Sequence, residues 1–114
     1  MTSKRPAHLE EGIRLFRRGK FFLAHETLEE HWVEVEEAER DFYQSLIHLS
    51  VAFLHFGRGN RKGARLQLQK ARARLEAYPD QHHGIDVAGL RAFLADAPDR
   101  VERGEEVGPP ELEP

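Results

Sequence analysis

Phe21 to Trp32 reads FFLAHETLEEHW and sets two phenylalanines, two histidines, three glutamates and the sole tryptophan of the chain within one short stretch. Wound at about 100° per residue, it gathers Phe21, Ala24, His25, Leu28 and Trp32, with Val35 beyond, on one side, while Glu26 and Glu30 fall elsewhere. The stretch is therefore an amphipathic helix, and His25 lies in its apolar stripe. Glu29 follows one turn later at the edge of that stripe, where a carboxylate can orient or charge the imidazole. As structure, His25 is a core histidine satisfied by Glu29 or a backbone carbonyl, because buried polar groups find partners. As function, His25, Glu26, Glu29 and Trp32 make a binding face. The structural reading is the expected one.

Upstream, Pro6 suits a helix's first turn, and Leu9, Ile13 and Phe16 recur at helical spacing until Gly19, which is placed to end the helix in a left-handed conformation. The short link folds the second helix, from Phe21 to about Glu39, back on the first. A turn near Arg40 and Asp41 leads into FYQSLIHLSVAFLHFG, where Phe42, Leu46, Leu49, Phe53 and Phe56 form one apolar stripe and Tyr43, Ile47 and Leu54 a second. A helix apolar on two sides is central to its bundle. Its remaining side carries Gln44, His48 and His55, a polar stripe that is solvated, satisfied by a neighbour, or functional.

Gly57 and Gly59 end this third helix, and Asn60 can cap a fourth that runs to about Tyr78 before Pro79. After the loop PDQHHG, Asp86 caps a fifth helix whose Leu90, Phe93 and Leu94 pack inward. From Gly104 the residues GEEVGPPELEP are rich in Glu, Pro and Gly, so residues 1–103 are expected to form a single helical domain and residues 104–114 a disordered acidic tail. An offset of forty residues aligns Leu9 with Leu49, Ile13 with Phe53, Phe16 with Phe56, Gly19 with Gly59, Ala24 with Ala64 and Leu28 with Leu68. The expected architecture is all-α: a compact bundle of about five helices, built from two antiparallel helical hairpins of related design plus a C-terminal helix.

The chain has 114 residues, enough to bury a core without disulfides, and no cysteine, which removes thiolate chemistry and every cysteine-based zinc site. The opening residues MTSKRPAHLEEG lack the apolar run of a signal peptide, and no stretch is apolar enough to span a membrane, so a cytoplasmic protein without a membrane partner is expected. A net charge of −3 argues against binding nucleic acid by bulk electrostatics. Helix four does concentrate Arg61, Lys62, Arg65, Lys70, Arg72 and Arg74, but these spread over both flanks and the outer face, as on a solvated basic helix. The acidic second helix could neutralise it within the fold or between subunits.

An H-E-x-x-H zinc helix fails at His25-Glu26-Thr27-Leu28-Glu29, where glutamate replaces the second histidine, and no E-x-x-H pair for a di-iron bundle occurs. A looser mononuclear site is open. Antiparallel helices two and three would set His25 level with Leu54 and His55, so that His25, Glu29, His48 and His55 face one another as hard oxygen and imidazole ligands. His82 and His83, two exposed loop histidines with no third ligand in view, read as incidental.

Gly19, Phe21, Phe22, Ala24, His25, Glu26, Leu28, Glu29, Glu30 and Trp32, followed by Leu46-Ile47, His55, Gly59-Asn60 and Gly63-Ala64, resemble the domain-of-unknown-function family numbered 309, small prokaryotic helical proteins. The resemblance covers roughly residues 9 to 95 and rests on the string G-x-F-F-x-A-H-E-x-L-E-E-x-W. It implies an all-helical fold and no activity. The expected function is a non-enzymatic protein-interaction or self-association module, acting through a homo-oligomer or another protein partner, with no cofactor. The alternative is a small metal-dependent enzyme or ligand-binding bundle that uses His25, Glu29, His48 and His55 to hold a divalent metal.

Overall fold

Two turns of the same make define the architecture. In the computed structural model of the chain, which describes residues 5–113, α1 (Ala7–Arg17) is joined to α2 (Phe21–Trp32), and α3 (Glu37–Gly57) to α4 (Arg61–Leu75). Gly19 (φ 76°) and Gly59 (φ 73°) are both left-handed, a conformation open to glycine because it has no Cβ. Gly19 and Lys20 donate their N–H groups to the carbonyls of Phe16 and Leu15, both at 2.9 Å; Gly59 and Asn60 donate to those of Phe56 (3.1 Å) and His55 (2.8 Å). The residues paired by the forty-residue offset are buried in both hairpins: Leu9 and Leu49, Ile13 and Phe53, Ala24 and Ala64, Leu28 and Leu68.

Each helix packs chiefly on its neighbours in sequence, and α3 sits in the middle of the row between α2 and α4. Its two apolar stripes explain the position: Phe42, Leu46, Leu49 and Phe53 are buried, and so are Tyr43 and Ile47. The small polar groups buried on α3 are satisfied, Ser45 Oγ by the Ala71 carbonyl at 2.9 Å and Ser50 Oγ by the Leu46 carbonyl at 3.0 Å. In the first hairpin the helices approach so closely that a Cβ on Gly12 would stand 2.7 Å from Leu28 Cδ2. Forty residues on, the second hairpin has the buried Ala52.

After α4 a two-residue ladder, β1 (Gln81–His82) and β2 (Ile85–Asp86), turns at His83 and Gly84 and leads into α5 (Val87–Glu102). The Asp86 side chain accepts from Gly89 N–H at 2.9 Å, the expected cap. Leu90 and Leu94 are buried against the core, with Phe93 half-buried beside them.

Three expectations change. Helix two stops at Trp32, not near Glu39, and helix three starts at Glu37, before the expected turn at Arg40 and Asp41. The acidic run explains both: carboxylates are unfavourable at the negative end of a helix and favourable in a first turn, where Glu37 and Glu39 now lie. Helix four ends at Leu75, three residues early. The segment after Gly104 was expected to be disordered, but here it runs back along the domain. Leu112, 2% exposed, joins the core, its carbonyl accepts from Asp86 N–H at 2.8 Å, and Glu113 pairs with Arg5 and Arg17. One leucine in a polar segment is too weak a sequence signal to reveal this. Residues 1–4, on which the expectation of no leader partly rests, and residue 114 lie outside the described residues. Among the described residues no helix is long and apolar enough to cross a membrane.

Candidate functional site

On α2 the predicted pair forms. His25 Nε2 lies 2.8 Å from Glu29 Oε2, with the imidazole 24% exposed and the carboxylate 59% exposed. The other ring nitrogen, Nδ1, is buried without a hydrogen-bond partner, and so is Nε1 of Trp32. Trp32 is half-buried, and the Arg40 guanidinium stands 5.6 Å from the centre of its ring, a cation–π contact. Glu26 is exposed and shares a shallow hollow with His25, Glu29 and Glu30. The pair thus sets a half-buried imidazole against an exposed carboxylate and opens on the surface.

The polar stripe of α3 faces elsewhere. His48 Nδ1 donates to Gln67 Oε1 on α4 at 2.7 Å. Burial pushes the His48 imidazole below its ordinary value; the Gln67 bond works against that shift, and the cations Lys70 and Arg74 add to it. His55 Nδ1 accepts from Asn60 Nδ2 at 3.1 Å, while Asn60 Oδ1 accepts from Gly63 N–H at 2.9 Å, so His55 steadies the cap of α4. Gln44 is half-buried. His25, Glu29, His48 and His55 are thus committed to separate neighbours and are not brought to one point. The physical reason is the early turn: with α3 beginning at Glu37, the level of His25 along α3 moves well away from His55.

A different set converges. Glu39, in the first turn of α3, accepts from His83 Nε2 at 2.6 Å and from His82 Nε2 at 3.0 Å. Among the described residues this is the one group of three or more His, Cys, Asp or Glu whose donor atoms all lie within 4.8 Å of one another. Phe42 and Tyr78 flank it, their rings 4.7 and 5.1 Å from that of His82. The Tyr78 hydroxyl donates to the Ala38 carbonyl (2.6 Å) and accepts from Phe42 N–H (2.9 Å), so it fastens this wall to α3. Burial raises the Glu39 carboxyl, but hydrogen bonds from His83 and His82 outweigh it and hold the group below the usual glutamate range.

Histidines collect at this end of the bundle. His8 bonds the Tyr43 hydroxyl at 2.8 Å and stacks on His31 with ring centres 4.3 Å apart. Burial, helped by the Glu39 charge, pushes the Tyr43 phenol up to about 12. The third partner of His82 and His83 lies more than forty residues upstream, so no local spacing connects the three. They are half-buried, not exposed.

The exposed large apolar side chains among the described residues are Phe22 (49%), Leu23 (46%), Val33 (61%) and Leu66. The first three belong to α2 and the residue after it, where Glu26, Glu29 and Glu30 are also exposed, with exposed Glu34 next in the chain. Leu66 stands on α4 among exposed Lys62, Lys70, Arg72 and Arg74. Among the described residues no ion pair joins α2 to α4; Arg74 pairs with Asp41 and Arg65 with Glu102. The neutralisation of helix two by helix four within one chain is therefore not seen.

The profile of the family described as Domain of unknown function (DUF309) matches residues 9–66. A protein of Aquifex aeolicus (strain VF5), described as uncharacterized, is 31% identical over 105 residues, which cover 91% of this chain and 31% of that protein. The chain thus spans about a third of the length of the curated relative it matches. The matched residues hold both helical hairpins as far as the middle of α4, including the His25–Glu29 pair and the two glycine turns. The chain belongs to the DUF309 family, as the G-x-F-F-x-A-H-E-x-L-E-E-x-W string implied.

Proposed function

We propose that the domain is a self-association module in which the acidic α2 face of one copy docks on the basic α4 face of another. The observation that carries this reading is the pairing of exposed surfaces: Phe22 and Leu23, each nearly half exposed, lie among the exposed glutamates of α2, and Leu66 lies beside the exposed Lys62 and Lys70 of α4. An apolar anchor inside a charged rim is the usual anatomy of an interface core. Complementary charge steers encounter and fixes register. Because α2 and α4 flank α3 on either side, a two-fold arrangement would satisfy both contacts at once.

Sedimentation equilibrium of the full chain tests the reading. The expected result is a concentration-dependent dimer that weakens in about 1 M salt, where charges are screened beyond about 3 Å. Phe22→Glu with Leu23→Ser should leave a folded monomer, because both side chains are exposed. A chain that stays monomeric up to about 1 mM has no self-affinity of biological use, and that outcome would overturn the proposal.

A further inference from the structure

We propose that Glu39, His82 and His83 form a binding site for one divalent transition-metal ion of the zinc class, clamping the hairpin β1–β2 to the first turn of α3. Two imidazole nitrogens and a carboxylate are the ligand types such ions select. Ligands at about 2.0 to 2.1 Å from a tetrahedral ion lie about 3.3 Å apart. Measured to the one oxygen Glu39 Oε1, the imidazole nitrogens stand at 2.6 Å (His83) and 3.1 Å (His82), and the three donor atoms all lie within 4.8 Å of one another, so side-chain shifts of under about 1 Å would bring them to that spacing. Binding requires each imidazole to offer its Nε2 lone pair with the ring proton on Nδ1, so two hydrogen bonds to the carboxylate give way to two metal–nitrogen bonds.

The hairpin turn explains how the two rings come together. Side chains of successive strand residues point to opposite faces, so His82 and His83 in regular β structure would diverge. His83 instead has φ 50°, among the described residues the one left-handed residue that is not glycine, followed by Gly84 at φ 73°. That conformation swings its ring to the side of His82, leaving the ring centres 4.5 Å apart with both Nε2 atoms on one carboxylate. Both central residues of a two-residue hairpin turn take φ > 0, so the β1–β2 turn itself holds His83 in this conformation and keeps its ring beside that of His82.

The neighbouring charges leave the site available to a cation. Arg5 reaches the His83 carbonyl at 3.2 Å, but its guanidinium is matched by Glu10 and Glu113. Arg74 and Arg91 are paired with Asp41 and Asp80. The rings of Phe42 and Tyr78 shield one side, and three protein ligands leave a further position for water. The site is separate from the α2 and α4 surfaces and does not depend on self-association.

The test uses the full chain, freed of any histidine tag and stripped of metal, titrated with Zn²⁺ by calorimetry and thermal denaturation. One ion per chain with a raised Tm is expected. His82→Asn and Glu39→Gln should each weaken binding about tenfold or more, at least the loss reported for removing outer-shell partners of metal ligands. His83→Gly removes a ligand while suiting the left-handed backbone, so it keeps the fold and should show the same loss. In the NMR spectrum of the wild-type chain, the His82 and His83 ring signals should shift on adding Zn²⁺. No stoichiometric binding, or binding undiminished in the His82→Asn and His83→Gly double variant, overturns the proposal.

Discussion

The α1–α2 and α3–α4 hairpins share a turn and a core plan and differ in nearly everything outside it. Both end their first helix on a left-handed glycine and bury the same alternation of large and small residues. Yet α4 opens with the Asn60 side chain as its cap, whereas Lys20 gives α2 no side-chain cap. The surface of α2 is acidic and that of α4 basic. The repeat therefore specifies how each pair of helices packs and leaves each surface free to differ, and any activity has to be sought in what the two hairpins do not share.

The strictest trial of this equivalence is at Leu28 and Leu68, both fully or almost fully buried. Each Leu→Ala substitution should destabilise the chain by about 2 to 5 kcal/mol, the range for emptying a packed leucine site. Urea denaturation would measure it. A difference of more than about 2 kcal/mol between the two, comparable to that whole range, would break the equivalence.

A smaller effect is expected where the hairpins diverge inside the core. Gly12→Ala should cost roughly 1 to 2 kcal/mol, since overpacking against Leu28 exceeds what alanine's better helix propensity returns. Combining it with Leu28→Ala should cost less than the sum of the two, because the smaller side chain removes the clash. Strict additivity in that double-mutant cycle would show that the helices simply shift apart.

The smallest effect joins His8 and His48, which occupy equivalent places forty residues apart. Burial lowers both imidazoles below the ordinary 6.5; nearby His31 adds to this at His8 while Glu34 opposes it. In the unfolded chain these groups take up protons near pH 6.5, but in the folded chain only at lower pH. The unfolded state therefore binds more protons in that window, and stability falls as the pH drops from about 6.5, levelling once the folded groups also protonate. His8→Gln and His48→Gln should each flatten the acid side of a plot of Tm against pH. An unchanged slope in both variants would mean that the two histidines are already open to water.

The fold is legible in the sequence because its signals are local and repeated: a 3.6-residue period, and a left-handed glycine closing the first helix of each hairpin. The His25–Glu29 pair was legible for the same reason, both members lying within one turn of α2. The end of α2 is hard to place from sequence because Val35 continues the apolar spacing past Trp32, while the break comes where glutamates fall at a helix's negative end. No local spacing reveals His82 and His83, because their meeting with Glu39 depends on the two-residue turn at His83 and Gly84 and on the fold-back of the whole second hairpin. Leu112 is illegible in the sequence because it and Val107, five residues apart in a polar stretch, make no period.

That leucine also bears on the order in which the chain assembles. Helix contacts in this row join sequence neighbours, whereas Arg5 and Glu113 are 108 positions apart. Closing a loop of that length from an open coil costs on the order of 4 kcal/mol in chain entropy, against about 2 kcal/mol for the short span from the end of α5 once the helices stand in place. The cheaper route runs last. The segment carrying Leu112 and Glu113 is then a latch fitted to a finished stack, and its release would bare Leu112's neighbours on α1, α2 and α3, among them Ile13, Leu28 and Leu49, without unfolding those helices.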